Sequence, residues 1–284
     1  MSLTLTYKND FGAVTINSTG KGAVRLCGID GLGIASNEYI TAVYTGQDGQ
    51  STLSARALPR CITLALEITG NNVSDVTRDT LKVLSRQGML YIESETLSRR
   101  IQCNQVQIPD IDRILKGKIS TIAVQFVCDN PYFEDGEDTV LPLYGRYKKL
   151  ETPFSMPCVF GEIIAGAQIE NVGDLDVEPQ ITLYFPDLLE NAENVTVTNT
   201  TTGKSICLDY APKAGDIVVI DVKSRTITSS ASGNLLNYIS ADTFLGDFVL
   251  KRGINRISVS IGDVTSGFAV QCRYSNLYQE AVIA

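Results

Sequence analysis

The chain has 284 residues, a formal net charge of −8 and no histidine. A hydrophobic fraction of 44% and a charged fraction of 20% are typical of a globular protein with one large or two ordinary domains. The lack of histidine excludes the usual Ser-His-Asp and Cys-His catalytic groups and every histidine-ligated metal site, and the acidic balance without a basic patch argues against tight nucleic-acid binding.

The first part of the chain shows the alternating pattern of short β-strands. Residues 51–59 are rich in small side chains and are expected to form an arm or loop. Turn residues rich in glycine separate the alternating runs. Strands are predicted at 3–7, 14–16, 23–28, 39–44 and 61–69.

One helix is predicted, near residues 74–87. Ser74 is expected to cap it, Asp75 lies in its first turn, and Gly88 follows its end. Its apolar face comprises Val73, Val76, Thr80, Leu81, Val83 and Leu84. Residues 89–93 and 99–108 are then predicted to pair as a hairpin, and 109–117 to act as a connector.

The most informative stretch is residues 119–133. It starts as a strand with one almost wholly apolar face, formed by Ser120, Ile122, Val124, Phe126 and Cys128. Pro131 ends the strand because proline cannot donate to a β-ladder. Tyr132 and Phe133 follow; a corner packed on the domain is favoured over a platform that stacks a base or a sugar. The acidic residues at 134–138 lack the spacing of a Ca²⁺-binding loop and are expected to form a solvated loop.

The chain is predicted to be mainly β and to divide into two domains. Residues 1–140 form the first domain, 141–157 a linker with three prolines and a basic group, and 158–284 the second domain. Short, regularly spaced strands in the second half favour a jelly-roll β-sandwich. These strands are predicted at 159–164, 167–171, 178–185, 194–199, 204–209, 216–221, 226–229, 243–250, 254–261 and 268–274.

Several local patterns imitate chemical motifs. Residues 200–205 resemble the end of a P-loop, but their strand–turn–strand context indicates a hairpin turn. Residues 28–33 have the wrong glycine spacing for a dinucleotide fingerprint. Asp174, Asp176 and Glu178 alternate as a glycosidase or Ca²⁺ site requires, yet a solvated edge before a proline is the favoured interpretation. We therefore predict no catalytic, cofactor-binding or metal-binding residues, no cofactor and no enzymatic activity.

Cysteine usage and the N-terminal sequence bear on the compartment. The seven cysteines, at 27, 61, 103, 128, 158, 207 and 272, form no CxxC motif. They are expected to be reduced, buried small apolar residues in a protein made in a cytoplasm. The N-terminus has no basic and apolar segments of a signal peptide, and no apolar run is long enough to span a membrane.

Phrases in both halves carry a family resemblance. The first half contains residues 88–91, Gly-Met-Leu-Tyr, and closes in 126–133, Phe-Val-Cys-Asp-Asn-Pro-Tyr-Phe. The second half contains, in order, 169–174, 179–181, 199–203, 215–221 and 250–257. In this order and spacing they resemble the distal tail proteins (Dit) of long-tailed phages and related prophages.

The resemblance implies a structural component of a phage or prophage tail tip. The first domain would be a tail-tube-like split barrel or sandwich that assembles into a hexameric ring, through which DNA passes. The second would be a galectin-like β-sandwich used for attachment. The implied partners are further copies of the chain, the tail-tube protein, a tail-associated hub or lysin-like protein and receptor-binding proteins. The implied location is the virion tail tip, without membrane insertion.

A second hypothesis is a carbohydrate-binding β-sandwich module that acts in cell-surface adhesion. Sugar sites usually present exposed aromatic rings, and this chain contains no tryptophan. The third hypothesis, a glycosidase that uses Asp174, Asp176 and Glu178, depends on these carboxylates facing one site.

Overall fold

The computed structural model describes residues 3–19, 22–46, 48–114, 118–148, 161–165, 167–186, 194–262 and 267–281; for 110, 112–114, 145–148 and 161–165 it describes the backbone alone. The chain divides into two compact units, Met1–Gly136 with Leu277–Ala284, and Glu137–Asn276. Both are built from β-strands, which confirms the predicted fold class. No helix in the described part of the chain has the length and hydropathy of a membrane span.

The first unit contains a ten-stranded sheet, a separate two-stranded hairpin and one helix. Its elements are β1 (Thr4–Asn9), β2 (Gly12–Asn17), β3 (Val24–Asp30), β4 (Asn37–Ala42), β5 (Ser51–Ala57), β6 (Arg60–Thr69), α1 (Val73–Leu84), β7 (Gly88–Glu93), β8 (Ser98–Cys103), β9 (Gln105–Ile114), β10 (Ile119–Cys128), β11 (Phe133–Asp135) and, from the C-terminal segment, β23 (Leu277–Tyr278). The order in the large sheet is β23–β11–β8–β7–β1–β2–β3–β6–β10–β9.

Strands β6 and β10 supply the centre of the first core. They pair antiparallel over their full lengths, with Ile122 opposite Leu66 and Phe126 opposite Ile62. The side chains predicted for the apolar face of β10 are all buried, and alternate residues of β6 are buried beside them. Each such apolar side chain contributes about 1.5–3 kcal/mol by leaving water.

The helix begins and ends differently from the prediction. Its N-cap is Asn72, which makes no side-chain capping bond, so the cap assigned to Ser74 is wrong. Val73 is part of the helix because its side chain is buried in the core. At the other end, the Tyr7 hydroxyl donates to the Arg86 carbonyl (2.5 Å). Gly88 does not cap the helix but opens β7.

Strand β7 requires glycine at its first position. A Cβ on Gly88 would lie 2.6 Å from the Lys8 carbonyl oxygen and 2.9 Å from the Tyr7 ring. The close approach of β1 and β7, which pair antiparallel over Thr4–Lys8, leaves no room for a side chain there.

Residues 99–108 are not one strand. The chain turns at Asn104, so that β8 pairs with β7 whereas β9 pairs with β10. Strand β9 continues to Ile114 through the range predicted as a connector. It accommodates Pro109 because it lies at the edge of the sheet, where the register shifts between Ala123 and Gln125 of its partner.

The second unit is built from two antiparallel sheets. Their elements are β12 (Thr139–Lys148), β13 (Gly161–Ala165), β14 (Ala167–Asn171), β15 (Gln180–Phe185), β16 (Val195–Asn199), β17 (Lys204–Leu208), β18 (Asp216–Asp221), β19 (Thr226–Ser229), β20 (Gly233–Asn234), β21 (Gly253–Ile261) and β22 (Ala269–Tyr274). The order is β13–β12–β22–β15–β18–β19–β20 in one sheet and β14–β21–β16–β17 in the other. Alternate burial along β15, β16 and β18 shows that each sheet has a core face. The galectin-like assignment stays a prediction.

Two ranges of the second half differ from the sequence interpretation. Residues 141–148, assigned to the linker, lie in β12, which pairs with both β13 and β22. The remaining linker residues, 149–157, lie outside the described residues. Residues 243–250 were predicted as a strand but contain a 3-10 turn at Leu245–Asp247. The segment forms no β-ladder, since its pairing is limited to an isolated bridge between Leu250 and Val177.

Candidate assembly interface

The hairpin of β4 and β5 extends from the first unit as a sheet of its own. Residues 51–57, expected to be an arm or loop, are therefore a strand of an arm. Its large apolar side chains, Tyr39, Ile40, Val43, Tyr44 and Leu53, are 53–74% exposed. Folded monomers rarely expose so many neighbouring large apolar groups, and a two-stranded hairpin is marginally stable alone. These features define an exposed apolar surface, which we call the apolar arm (residues 37–57).

The apolar arm carries little charge. Glu38 and Arg56 lie opposite each other and form an exposed ion pair of 2.6 Å. An exposed pair of this kind contributes less than about 1 kcal/mol. Within the described structure, the arm pairs with no other strand, so both of its outer backbone edges are open to strand addition.

The base of the arm is anchored by the buried guanidinium of Arg60. Its nitrogens donate to the carbonyl oxygens of Gly31 (2.6 Å), Pro131 (2.6 Å) and Gln279 (2.7 Å), and also to that of Gly33. Arg60 therefore joins the base of the arm, the corner after β10 and the C-terminal segment. Burial lowers the pKa of Arg60 from its ordinary value, although arginine remains charged at any physiological pH.

The corner at residues 129–133 packs on the unit, as predicted. Phe133 is fully buried, and the Arg60 guanidinium lies over its ring, 4.4 Å from the centroid. The solvated loop predicted for 134–138 is wrong at its start. Glu134 and Asp135 belong to β11 and pair with Arg100 (3.1 Å) and Arg99 (3.6 Å), with all four side chains about one-fifth exposed or less.

The outward face of β6 and β10 is small and nearly neutral. Thr63 lies opposite Gln125, Ala65 opposite Ala123 and Glu67 opposite Thr121. The outward set consists of Cys61, Thr63, Ala65, Glu67, Thr69, Thr121, Ala123, Gln125 and Val127. Only Glu67 in this set is charged, and the exposed Arg25 of the adjoining β3 lies opposite it, so β6 and β10 themselves offer no cation to a polyanion. We call it the neutral face.

The carboxylate row of the second unit does not assemble a catalytic pair. Asp176 forms an ion pair with Lys251, whereas Glu178 pairs with Arg225 at 3.5 Å. Asp174 and Asp176 are exposed on an irregular segment rather than an extended strand. The arrangement matches the solvated edge favoured by the sequence and gives no support to the glycosidase hypothesis.

The other stretches that resemble chemical motifs also have structural explanations. Residues 200–203 form the turn between β16 and β17, with Gly203 at φ +69°, as a hairpin requires. Gly31 lies in the left-handed region (φ +91°), and a Cβ there would collide with the Cys61 carbonyl oxygen. Among the described residues, no cluster of three or more acidic or cysteine side chains is placed to hold a metal ion.

Three buried asparagines connect separate phrases of the second half. Asn199 donates to the Asn255 side chain (3.1 Å), and Asn255 accepts from the Lys251 amide (2.9 Å). Asn171 donates to the Leu250 carbonyl (3.0 Å). The three asparagines belong to the phrases 169–174, 199–203 and 250–257. In the fold, their side chains meet at the loop that begins at Leu250. Sequence reasoning noticed the phrases but not their common role.

A buried carboxylate also supports the second unit. Asp216 accepts hydrogen bonds from the Tyr210 hydroxyl (2.7 Å), the Ser229 hydroxyl (2.8 Å), the Ser230 hydroxyl (3.0 Å) and the Ala231 amide (3.2 Å). Burial opposes ionisation, but these donors outweigh it and lower the pKa of Asp216 below its ordinary value. The network pins the loop after β19 to the start of β18.

A cleft of about 640 Å³ opens near the ends of β15, β18 and β22. Its aromatic lining comprises Tyr184, Phe185 and Phe268. Phe185 and Phe268 are buried, so the cleft presents little of the flat aromatic surface on which sugars stack. The cleft therefore adds nothing to the carbohydrate-binding hypothesis.

Fold and surface together define a class: a mainly β, two-unit protein with an exposed apolar arm that pairs with no other strand among the described residues. Residues 172–278 match the family described as siphovirus-type tail component, C-terminal domain. This match covers most of the second unit, and it confirms the predicted resemblance to the distal tail protein family.

Solved structures share the fold of the whole chain. The Dit protein (gp 19.1) of phage SPP1, described as a paradigm of the hub adsorption apparatus in phages that infect Gram-positive bacteria, is similar with a TM-score of 0.67 and 11% identity, over 97% of this chain and 98% of that chain. Chains of the phage P2 baseplate in its activated conformation, with Ca or with Sr, are similar with a TM-score of 0.52 and the same identity and coverage. A comparison with curated protein sequences found no significant match.

Proposed function

We propose that this protein is a distal tail protein whose first unit assembles with further copies into a ring, as a hexamer, at the tip of a phage or prophage tail. The observation that carries the proposal is the apolar arm. Ile40 and Leu53 are more than half exposed and cannot be covered by a hairpin that packs on nothing else. A neighbouring copy would cover them.

A ring is the closed assembly that such an arm favours. In this proposal the arm binds a different surface of the next copy, so the contact between identical subunits is heterologous, and the rotation between copies closes it into a ring rather than an open filament. The ring would join the tail-tube protein on one side to a hub or lysin-like protein and receptor-binding proteins on the other. This role is structural and includes no catalysis.

The neutral face fits the inner wall of such a ring. DNA that passes through a tail must not be retained. Threonine, alanine and glutamine side chains carry no positive charge, so a wall of them does not neutralise DNA phosphates and releases no counterions from the DNA. In our proposal DNA is a partner only during its passage.

The ring proposal is tested by adding charge to the apolar arm. Ile40→Asp and Leu53→Asp each place a carboxylate in the interface, and each is expected to weaken self-association by roughly 1.4–2.8 kcal/mol, which is about tenfold to a hundredfold. Light scattering after size exclusion, over a range of concentrations, and negative-stain images measure the effect.

The matched control is Ile254→Asp, which makes the same change at an exposed isoleucine of the second unit. It is expected to leave the assembly intact. A wild-type protein that stays monomeric at every concentration and beside tail tubes, or arm variants that form rings like the wild type, would refute the proposal.

The neutral face gives a second prediction. Thr63→Lys with Thr121→Lys adds two cations per subunit to the face, and the assembled ring is expected to bind duplex DNA at least about tenfold more tightly at low salt, with an affinity that falls steeply as salt rises. Fluorescence anisotropy of labelled DNA measures this. Ser74→Lys with Thr96→Lys adds equal charge on other exposed positions. Equal DNA binding by both double variants would show that the neutral face is not the wall.

A further inference from the structure

Two buried cysteines of the first unit face each other across its core. Cys103 ends β8 and Cys128 ends β10; both side chains are fully buried, and their sulfurs are 3.8 Å apart. The strands are not neighbours, because β7, β1, β2, β3 and β6 lie between them in the order of the sheet. A bond between the sulfurs would therefore close the sheet across the core.

The local structure holds the two residues together. Immediately after Cys103, the Asn104 amide donates to the Val127 carbonyl (2.9 Å), and the Asn104 side chain accepts from the Asp129 amide (3.0 Å). These bonds bracket Cys128 on both sides. Closing the sulfurs to a disulfide distance requires a movement of less than about 2 Å, within the reach of side-chain rotation.

The pair is chemically asymmetric. The hydrogen bond with Cys103 and the positive charge of Arg60, which lies opposite Cys128 in the β6–β10 pairing, lower the pKa of Cys128. The same hydrogen bond and burial raise the pKa of Cys103. Cys128 is therefore the more readily ionised thiol of the pair and acts as the nucleophile in the reaction below.

We propose that Cys103 and Cys128 form a dithiol site that a small peroxide converts to a disulfide, which locks β8 to β10. The site belongs to the folded first unit and does not depend on ring assembly. The disulfide would form when finished particles pass from a reducing cytoplasm to an oxidising exterior, and this part of the inference rests on the proposed function.

The chemistry balances with hydrogen peroxide as the oxidant. The Cys128 thiolate attacks one peroxide oxygen, the O–O bond breaks, and the departing hydroxide takes the proton released by the thiol, leaving Cys128 as a sulfenic acid. The Cys103 sulfur then attacks the Cys128 sulfur; the S–O bond breaks, and its hydroxide leaves as water with the Cys103 proton. Two thiols and one peroxide become one disulfide and two waters.

The test uses the full chain, first reduced and then exposed to hydrogen peroxide. We expect a loss of two hydrogen atoms in mass, a peptide linked through Cys103 and Cys128 in a non-reducing digest, and a rise of roughly 5–10 °C in the melting temperature of the first unit, reversed by dithiothreitol. The linked peptide reports on the site whether or not rings form.

Variants assign the bond. Cys103→Ser and Cys128→Ser should each abolish the linked peptide and the thermal shift, whereas Cys272→Ser, at a buried cysteine of the second unit, should preserve both. A wild-type digest in which both residues stay as thiols or proceed to sulfinic acid, or in which either links to Cys27 or Cys61, would overturn the proposal. So would linkage without any thermal shift, because the bond would then lock nothing.

Discussion

Replacement of Arg60 by alanine is expected to destabilise the first unit by roughly 3–5 kcal/mol, because several buried carbonyl groups lose their donor at once. The side chain donates to Gly31, Pro131 and Gln279, three segments far apart in the chain. The C-terminal segment and the base of the apolar arm should loosen together.

Urea unfolding measures the loss, and hydrogen exchange of residues 31–33 and 277–281 shows where it falls. Arg60→Lys should recover part of the stability, because a single ammonium group keeps the charge but cannot reach all of these carbonyls. Arg78→Ala is the matched control: it removes an exposed arginine paired with Asp75, and a change below about 0.5 kcal/mol is expected. Equal urea midpoints for Arg60→Ala and Arg78→Ala would contradict the assignment.

Replacement of Asp216 by asparagine is expected to cost the second unit roughly 2–4 kcal/mol near neutral pH. The amide has nearly the shape of the carboxylate, but one of its two acceptor atoms becomes a donor facing the hydroxyl groups of Tyr210 and Ser229. Asp209→Asn, at an exposed aspartate nearby, is the control and should change stability little.

The contribution of Asp216 should depend on pH in a defined direction. Because folding lowers its pKa, the native state favours the carboxylate, and the stabilisation is fully present above the unfolded value of about 3.9. It is lost as the pH falls through the lower, folded-state pKa. The difference in unfolding free energy between wild type and Asp216→Asn should therefore be constant from pH 5 to 7 and shrink on acidification below about pH 4. A difference that stays constant down to pH 2 would contradict this account.

Strand positions were largely predictable because burial of one face imposes a period of two. Ile122, Val124 and Phe126 alternate with residues that need no burial, and the structure follows that alternation. Where the alternating pattern predicted a strand that the structure lacks, contacts with distant segments determine the backbone path. Residues 243–250 are apolar enough for a strand, yet the segment is held by isolated bonds, such as that from Asn199 to the Val249 carbonyl, rather than by a ladder.

Strand partners were less predictable than strands. The chain breaks at Asn104: β8, before the break, pairs with β7, and β9, after it, pairs with β10. Local residue patterns do not indicate such a change of partner. Likewise, residues 51–57 are unremarkable by composition. Their role as one strand of an exposed arm becomes apparent only from their antiparallel pairing with β4.

The sequence by itself determined the β class, the presence of a helix near residues 74–87, the family resemblance and the absence of histidine chemistry, since these follow from periodicity, composition and the order of short phrases. Tertiary structure alone decided that the C-terminal segment returns to the first unit, that Arg60 binds it there, and that Cys103 meets Cys128. The physical reason is that periodicity reports which face of a segment is buried, whereas contacts between distant segments depend on how the whole chain closes around its core.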